Sequence, residues 1–139
     1  MSISYEEYIK RLSEASGRLA WNMRQVLVKG SMRMEADAKR NATYFPRVQT
    51  GRLRNSIMGG VLRDGNDMAL VLQAGGLSTP TRPFTESADV VYAAIQEYGG
   101  GVQNIKEKRY LRNAFEKHLP KTEKNLDKAI IAALKGKDL

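Results

Sequence analysis

Cysteine is absent from this chain, histidine and tryptophan occur once each, and only four prolines interrupt 139 residues. Without cysteine there are no disulfide staples and no thiolate zinc sites, a composition that suits a reducing compartment. The lone His118 has no cysteine or carboxylate at ligand spacing and falls near a helix end, so it is read as an ordinary polar residue. No apolar run approaches the roughly 20 residues needed to cross a bilayer. The start, Met1-Ser2-Ile3-Ser4-Tyr5-Glu6-Glu7, lacks the basic residues and apolar stretch of a signal peptide, so a soluble product made in the cytoplasm, with no membrane partner, is expected.

Chemistry is equally sparse. Gly99-Gly100-Gly101 is not followed by the lysine and hydroxyl residue of a phosphate loop. Asp64 and Asp67 flank a turn, where aspartate is favoured for backbone reasons. No serine or threonine nucleophile pairs with a base by sequence. No catalytic residue, cofactor or metal is expected, and an enzyme is the least favoured class.

What the chain does have is charge, unevenly placed. The net charge is +8, divided as +6 over residues 1–58, −3 over 59–100 and +5 over 101–139. Basic ends around an acidic middle suit nucleic acid, an acidic protein surface, or head-to-tail packing of identical subunits. Lysines at helical spacing also make an ordinary solvated face.

Tyr5, Tyr8, Leu12, Ala15, Leu19, Met23, Val26, Gly30 and Met34 recur at steps of three and four, the pattern of an amphipathic helix. Ser4 and Glu7 have the form of a capping box. Unbroken from Ser4 to Asn41, the helix would be about 57 Å long, so it bends, with Gly30-Ser31 the expected place, or it projects. After Pro46 the pattern predicts strands over Leu53–Arg63 and Met68–Ala74, joined by the turn Asp64-Gly65-Asn66-Asp67. The run Met68-Ala69-Leu70-Val71-Leu72 implies a strand covered on both faces. Gly59-Gly60 marks a bulge or a close backbone approach.

Residues 76–90 read as a long loop carrying Leu77 and Phe84, either a simple surface loop or one that orders itself on a partner. Val90–Tyr98 is ambiguous between helix and strand. From about Lys108 the chain is helical again, with Pro120 dividing two segments. The expected architecture is therefore α+β in one domain. A long helix over 1–42 packs on an antiparallel hairpin within 50–75, and C-terminal helices occupy 106–136.

Candidate interface residues follow. Thr50-Gly51 opens into a predicted strand whose one face carries Arg52, Arg54 and Ser56. That face fits phosphates, carboxylates of another subunit, or solvent. Glu97 and Tyr98 sit beside glycine, where Tyr98 suits an interface anchor and core packing alike.

Thr50-Gly51-Arg52-Leu53-Arg54-Asn55-Ser56-Ile57, then Tyr92-Ala93 with Glu97-Tyr98-Gly99, then Arg109-Tyr110-Leu111 and Ala114, resemble the gene-product-ten-like neck family of long-tailed phages. The likeness spans about residues 35–118. Arg47 is inserted after Pro46, Gly100 replaces a threonine, and Tyr110 replaces a proline of that pattern. The resemblance implies a structural virion protein at the head–tail junction, forming a six-fold or twelve-fold ring of its own copies. Its implied neighbours are head-closure or connector proteins and tail-terminator or tail-tube proteins, with genome DNA passing through the ring. Arg52, Arg54, Phe84, Glu97, Tyr98 and Tyr110 are the candidate interface residues. A small basic DNA-binding protein is the alternative.

Overall fold

The computed structural model describes residues 4–44, 52–65, 67–75, 88–100 and 106–137. The Thr50-Gly51 turn and the segment holding Leu77 and Phe84 lie outside the described residues. In chain order the elements are α1 (Tyr5–Tyr44), α2 (Arg52–Ser56), β1 (Met58–Asp64), β2 (Asp67–Gln73), α3 (Ala88–Tyr98) and α4 (Tyr110–Leu134). This is the expected α+β arrangement of long helix, two-stranded antiparallel hairpin and C-terminal helix.

α1 forms for the reasons its periodicity gives. The Glu7 N–H donates to Ser4 Oγ at 3.3 Å, while the Glu7 carboxylate accepts from Arg11 Nε at 2.8 Å. The helix runs 40 residues as one element through Gly30-Ser31, about 60 Å at roughly 1.5 Å per residue. Gly30 serves packing: a Cβ there would meet Thr122 of α4 at 3.0 Å and Leu70 of β2 at 3.2 Å. It marks where helix, helix and hairpin converge.

α4 lies antiparallel on α1. Asn41 Nδ2 donates to the Tyr110 carbonyl at 3.2 Å, and Asn22 Nδ2 donates to the Lys137 carbonyl at 3.1 Å, at opposite ends of the pair. Their contact is built from small buried residues, among them Ala38, Ala42, Ala114, Ala129 and Ala133, which let the two backbones approach. Pro120 is inside α4, not between two helices. Pro120 is exposed, and its missing N–H removes one donor from the helix ladder. Gly136, at φ +71°, ends the helix: its N–H donates to the Ala133 carbonyl and that of Lys137 to Ala132, satisfying carbonyls that helix ends leave open.

The hairpin pairs without a bulge from Met58↔Gln73 to Asp64↔Asp67. Gly59 is therefore the close approach, since a Cβ there would stand 2.5 Å from the Ser31 carbonyl oxygen. β2 is only half-buried along Leu70–Gln73 and exposed at Ala69, so it is not covered on both faces as its apolar run implied. α1 supplies most of its cover and α4 touches β2, while much of the sheet stays half-buried or exposed among the described residues.

One stretch differs in kind. Residues 52–56 are helical and the strand begins at Met58. Leu53 and Ile57, four residues apart, both enter the core with Ala38, Ala42, Ala93, Tyr110 and Ala114. A helical turn brings both to one side and leaves Asn55 exposed, whereas a strand would put Leu53, Asn55 and Ile57 on one buried face. The proposed shared strand face of Arg52 and Arg54 is thereby removed, because residues two apart on a helix point roughly 200° from each other.

Candidate assembly interface

The corner between α3 and α4 organises the residues singled out in the sequence. Arg109, in the left-handed region at φ 50°, precedes α4 and gives it no side-chain cap. Glu97 supplies one from α3: its Oε2 accepts the Leu111 N–H at 2.8 Å and its Oε1 the Arg112 N–H at 3.0 Å. A buried carboxylate there satisfies two orphan donors and meets the positive end of the helix dipole. The N–H groups of Lys108 and Arg109 donate to the Gln96 and Glu97 carbonyls, completing the corner.

Tyr110 is 1% exposed, and its hydroxyl donates to the Ala93 carbonyl at 3.3 Å. It is a core residue. Tyr98 points the other way, 67% exposed, with the Arg112 guanidinium carbon 5.9 Å from its ring centroid. Beside it an open groove of about 390 Å³ is lined by Leu70, Val71, Leu72, Leu111 and Phe115, with Glu97 and Arg112 at its edge. Of the residues proposed from sequence, then, Tyr98 lies on an apolar surface while Glu97 and Tyr110 lie beneath it and hold its shape.

Arg54 is exposed in the last turn of α2 and shares a shallow depression with Lys39, Arg40 and Thr43 of α1. Lys39 is paired with Glu35, and Arg40 with Asp37 at 2.9 Å. The side chain of Arg52 and all of Phe84 lie outside the described residues.

His118 has a structural partner invisible to spacing. Its Nε2 lies 2.7 Å from Asp37 Oδ2, which also accepts from Lys117 Nζ at 2.6 Å. An ionised carboxylate only accepts, so Nε2 is the protonated ring nitrogen. The Lys117 hydrogen bond holds the Asp37 carboxyl below its ordinary 3.8 against the opposing effect of burial, and His118 adds to it. Glu35 is also lowered: burial pushes it up, but hydrogen bonds from Lys39 and the Gly59 N–H outweigh that. These two carboxylates tie α1 to α4 and to the hairpin. Among the described residues no three or more His, Asp or Glu side chains gather as metal ligands, and no described helix is long and apolar enough to cross a membrane.

A second surface lies apart from the groove. Trp21 is half exposed and, with Gly17, Ala20, Val61, Met68 and the arginines Arg24 and Arg63, lines a depression of about 480 Å³ between α1 and the hairpin. Both surfaces combine apolar side chains with charged ones at the edge, a make-up suited to burying another protein's side chains.

Comparison with curated proteins and with solved structures finds no match to either. A family model does match: residues 6–99 fit the one described as "Bacteriophage HK97-gp10, putative tail-component". The matched segment holds α1, α2, the hairpin, α3 and the exposed Tyr98, more than half of the sequence, and the chain belongs to this HK97-gp10-like family of bacteriophage tail components.

Proposed function

We propose that this structural tail component works at the head–tail junction, as one subunit of a ring that joins head to tail or completes the tail. Family membership makes it part of the virion. The ring and its position are our reading, supported by one observation: among the described residues the chain bears two different open surfaces, the Tyr98 groove flanked by Glu97 and Arg112 and the Trp21 depression flanked by Arg24 and Arg63. A pair of unlike faces favours heterologous contact, in which the groove of one copy takes a different surface of the next. Such contacts close into a ring when the rotation permits. The acidic middle and basic ends of the chain suit the same head-to-tail arrangement.

In this reading Tyr98 and Arg112 form the centre of one contact, with Arg54 at a charged margin. Connector and tail-terminator proteins stack above and below, and DNA passes through the opening. Tyr98→Glu and Trp21→Glu test it by complementation of a phage lacking this protein. Both side chains stand outside the core, so the variants should fold yet leave heads and tails unjoined. Normal yields of joined particles from both variants would contradict the ring reading.

A further inference from the structure

Among the described residues nothing covers the first third of α1. α4 ends beside Arg18 and Asn22, and the hairpin reaches only to the level of Gly17 and Trp21. Residues 5–16 therefore extend about 18 Å beyond both, at roughly 1.5 Å per residue. On this extension Tyr5, Tyr8, Ile9 and Leu12 are 78%, 56%, 44% and 56% exposed. Their spacing keeps them on the stripe that later carries Val26, Gly30 and Met34 into the core. One face of one helix is thus core from Val26 onward and bare before Leu12.

We propose that the free chain is a two-fold dimer, in which the α1 extensions of two copies pack antiparallel and each occupies the space where the other's α4 has run out. The occupant is a second copy because the extension is complementary to itself. Its large residues, Tyr5, Tyr8, Ile9 and Leu12, precede its small ones, Ser13, Ala15 and Ser16. Antiparallel pairing sets large against small at both ends of the contact, while parallel pairing sets large against large. α4 already shows that this face of α1 accepts an antiparallel helix.

Charge points the same way. The overlap brings the first turn of one copy, with Glu6 and Glu7, to the end of the other's α4, where Lys135 and Lys137 are exposed. The four bare side chains and their surroundings would remove on the order of 1,000 Å² in total, at the lower limit for a specific contact, so a weak and reversible dimer is expected. A two-fold contact closes on itself, and it leaves the Tyr98 groove free. It belongs to the subunit before incorporation and does not rest on the ring reading.

The natural absence of cysteine makes the test direct. Sedimentation equilibrium of the full chain from roughly 1 to 100 μM, a range bracketing the affinity of so small an interface, should give a monomer–dimer equilibrium. Under mild oxidation Ile9→Cys or Leu12→Cys, near the two-fold axis, should cross-link to dimer, and Tyr5→Cys should not. Leu12→Glu should be monomeric with unchanged helix content, since Leu12 lies outside the core. A monomer throughout that range overturns the proposal. So does preferential cross-linking at Tyr5→Cys, which marks parallel pairing, or a larger oligomer that survives Leu12→Glu, which marks a different contact. Loss of the dimer would leave the position of the protein in particles unaffected, so failure of this inference is separable from failure of the junction reading.

Discussion

Gly59→Ala adds one methyl group where the hairpin touches α1, and it should be severely destabilising. The new Cβ would lie 2.5 Å from the Ser31 carbonyl oxygen, 3.0 Å from its carbon and 3.3 Å from Glu35 Cβ. The first two atoms are helix backbone and cannot rotate away. Strand and helix must separate by roughly 0.9 Å to reach the 3.4 Å at which ordinary contact begins. That movement also stretches the 2.9 Å hydrogen bond from the Gly59 N–H to Glu35 Oε2. Overpacking costs about 1–3 kcal/mol and a hydrogen bond to a charged group about 1.5–3, so a loss of about 3–5 kcal/mol is expected. With a slope of about 2 kcal/mol/M, the urea midpoint followed by circular dichroism should fall by about 2 M. Gly17→Ala is the control, because no atom lies within 4 Å of its added Cβ. It should stabilise the helix by about 0.5–1 kcal/mol. A Gly59→Ala midpoint indistinguishable from the parent would refute the close-approach argument.

Other expectations rest on separate contacts. Glu97→Ala removes the cap of α4 and should cost about 1–2 kcal/mol; hydrogen exchange should show faster exchange at the Leu111 and Arg112 amides, and unchanged protection there would count against the capping role. Asp37 has a folded pKa below its ordinary 3.8. Its contribution is therefore complete above the unfolded value and is lost as pH falls through the folded one, below about pH 4. The melting-temperature gap between parent and Asp37→Asn should accordingly be wide near pH 6 and shrink near pH 3, whereas a gap independent of pH would remove ionisation from the account. Arg54→Glu, at an exposed side chain, should fold and yet weaken joining of heads to tails, read as unjoined particles by electron microscopy; a normal yield of joined particles would free Arg54 from the interface.

Much of the fold was readable because its signals are local. Nine apolar positions at helical spacing specify α1, and Asp64-Gly65-Asn66-Asp67 specifies the turn between β1 and β2. The short α2 was not readable in the same way. Arg-Leu-Arg-Asn-Ser alternates like a strand over five residues, and the choice is made by a core that takes Leu53 and Ile57 together. Pro120 suggests a break by its own chemistry, but α4 passes through it while packing on α1.

The site was legible as a neighbourhood more than as a set of roles. The Glu97-Tyr98 pair marks the right corner, yet adjacent residues on α3 have opposite fates, one buried as a cap and one exposed at a groove. The cap joins residues 14 and 15 positions apart, beyond any short-range motif. Likewise His118 meets Asp37 across 81 positions, so only the antiparallel pairing of α1 and α4 reveals its partner.

The most direct measurement of the central claim is electron microscopy of intact particles carrying a label on this protein. Label confined to the head–tail junction, in a ring of regular symmetry, is the predicted result. Label distributed along the tail, placed at its distal end, or absent from particles would contradict it.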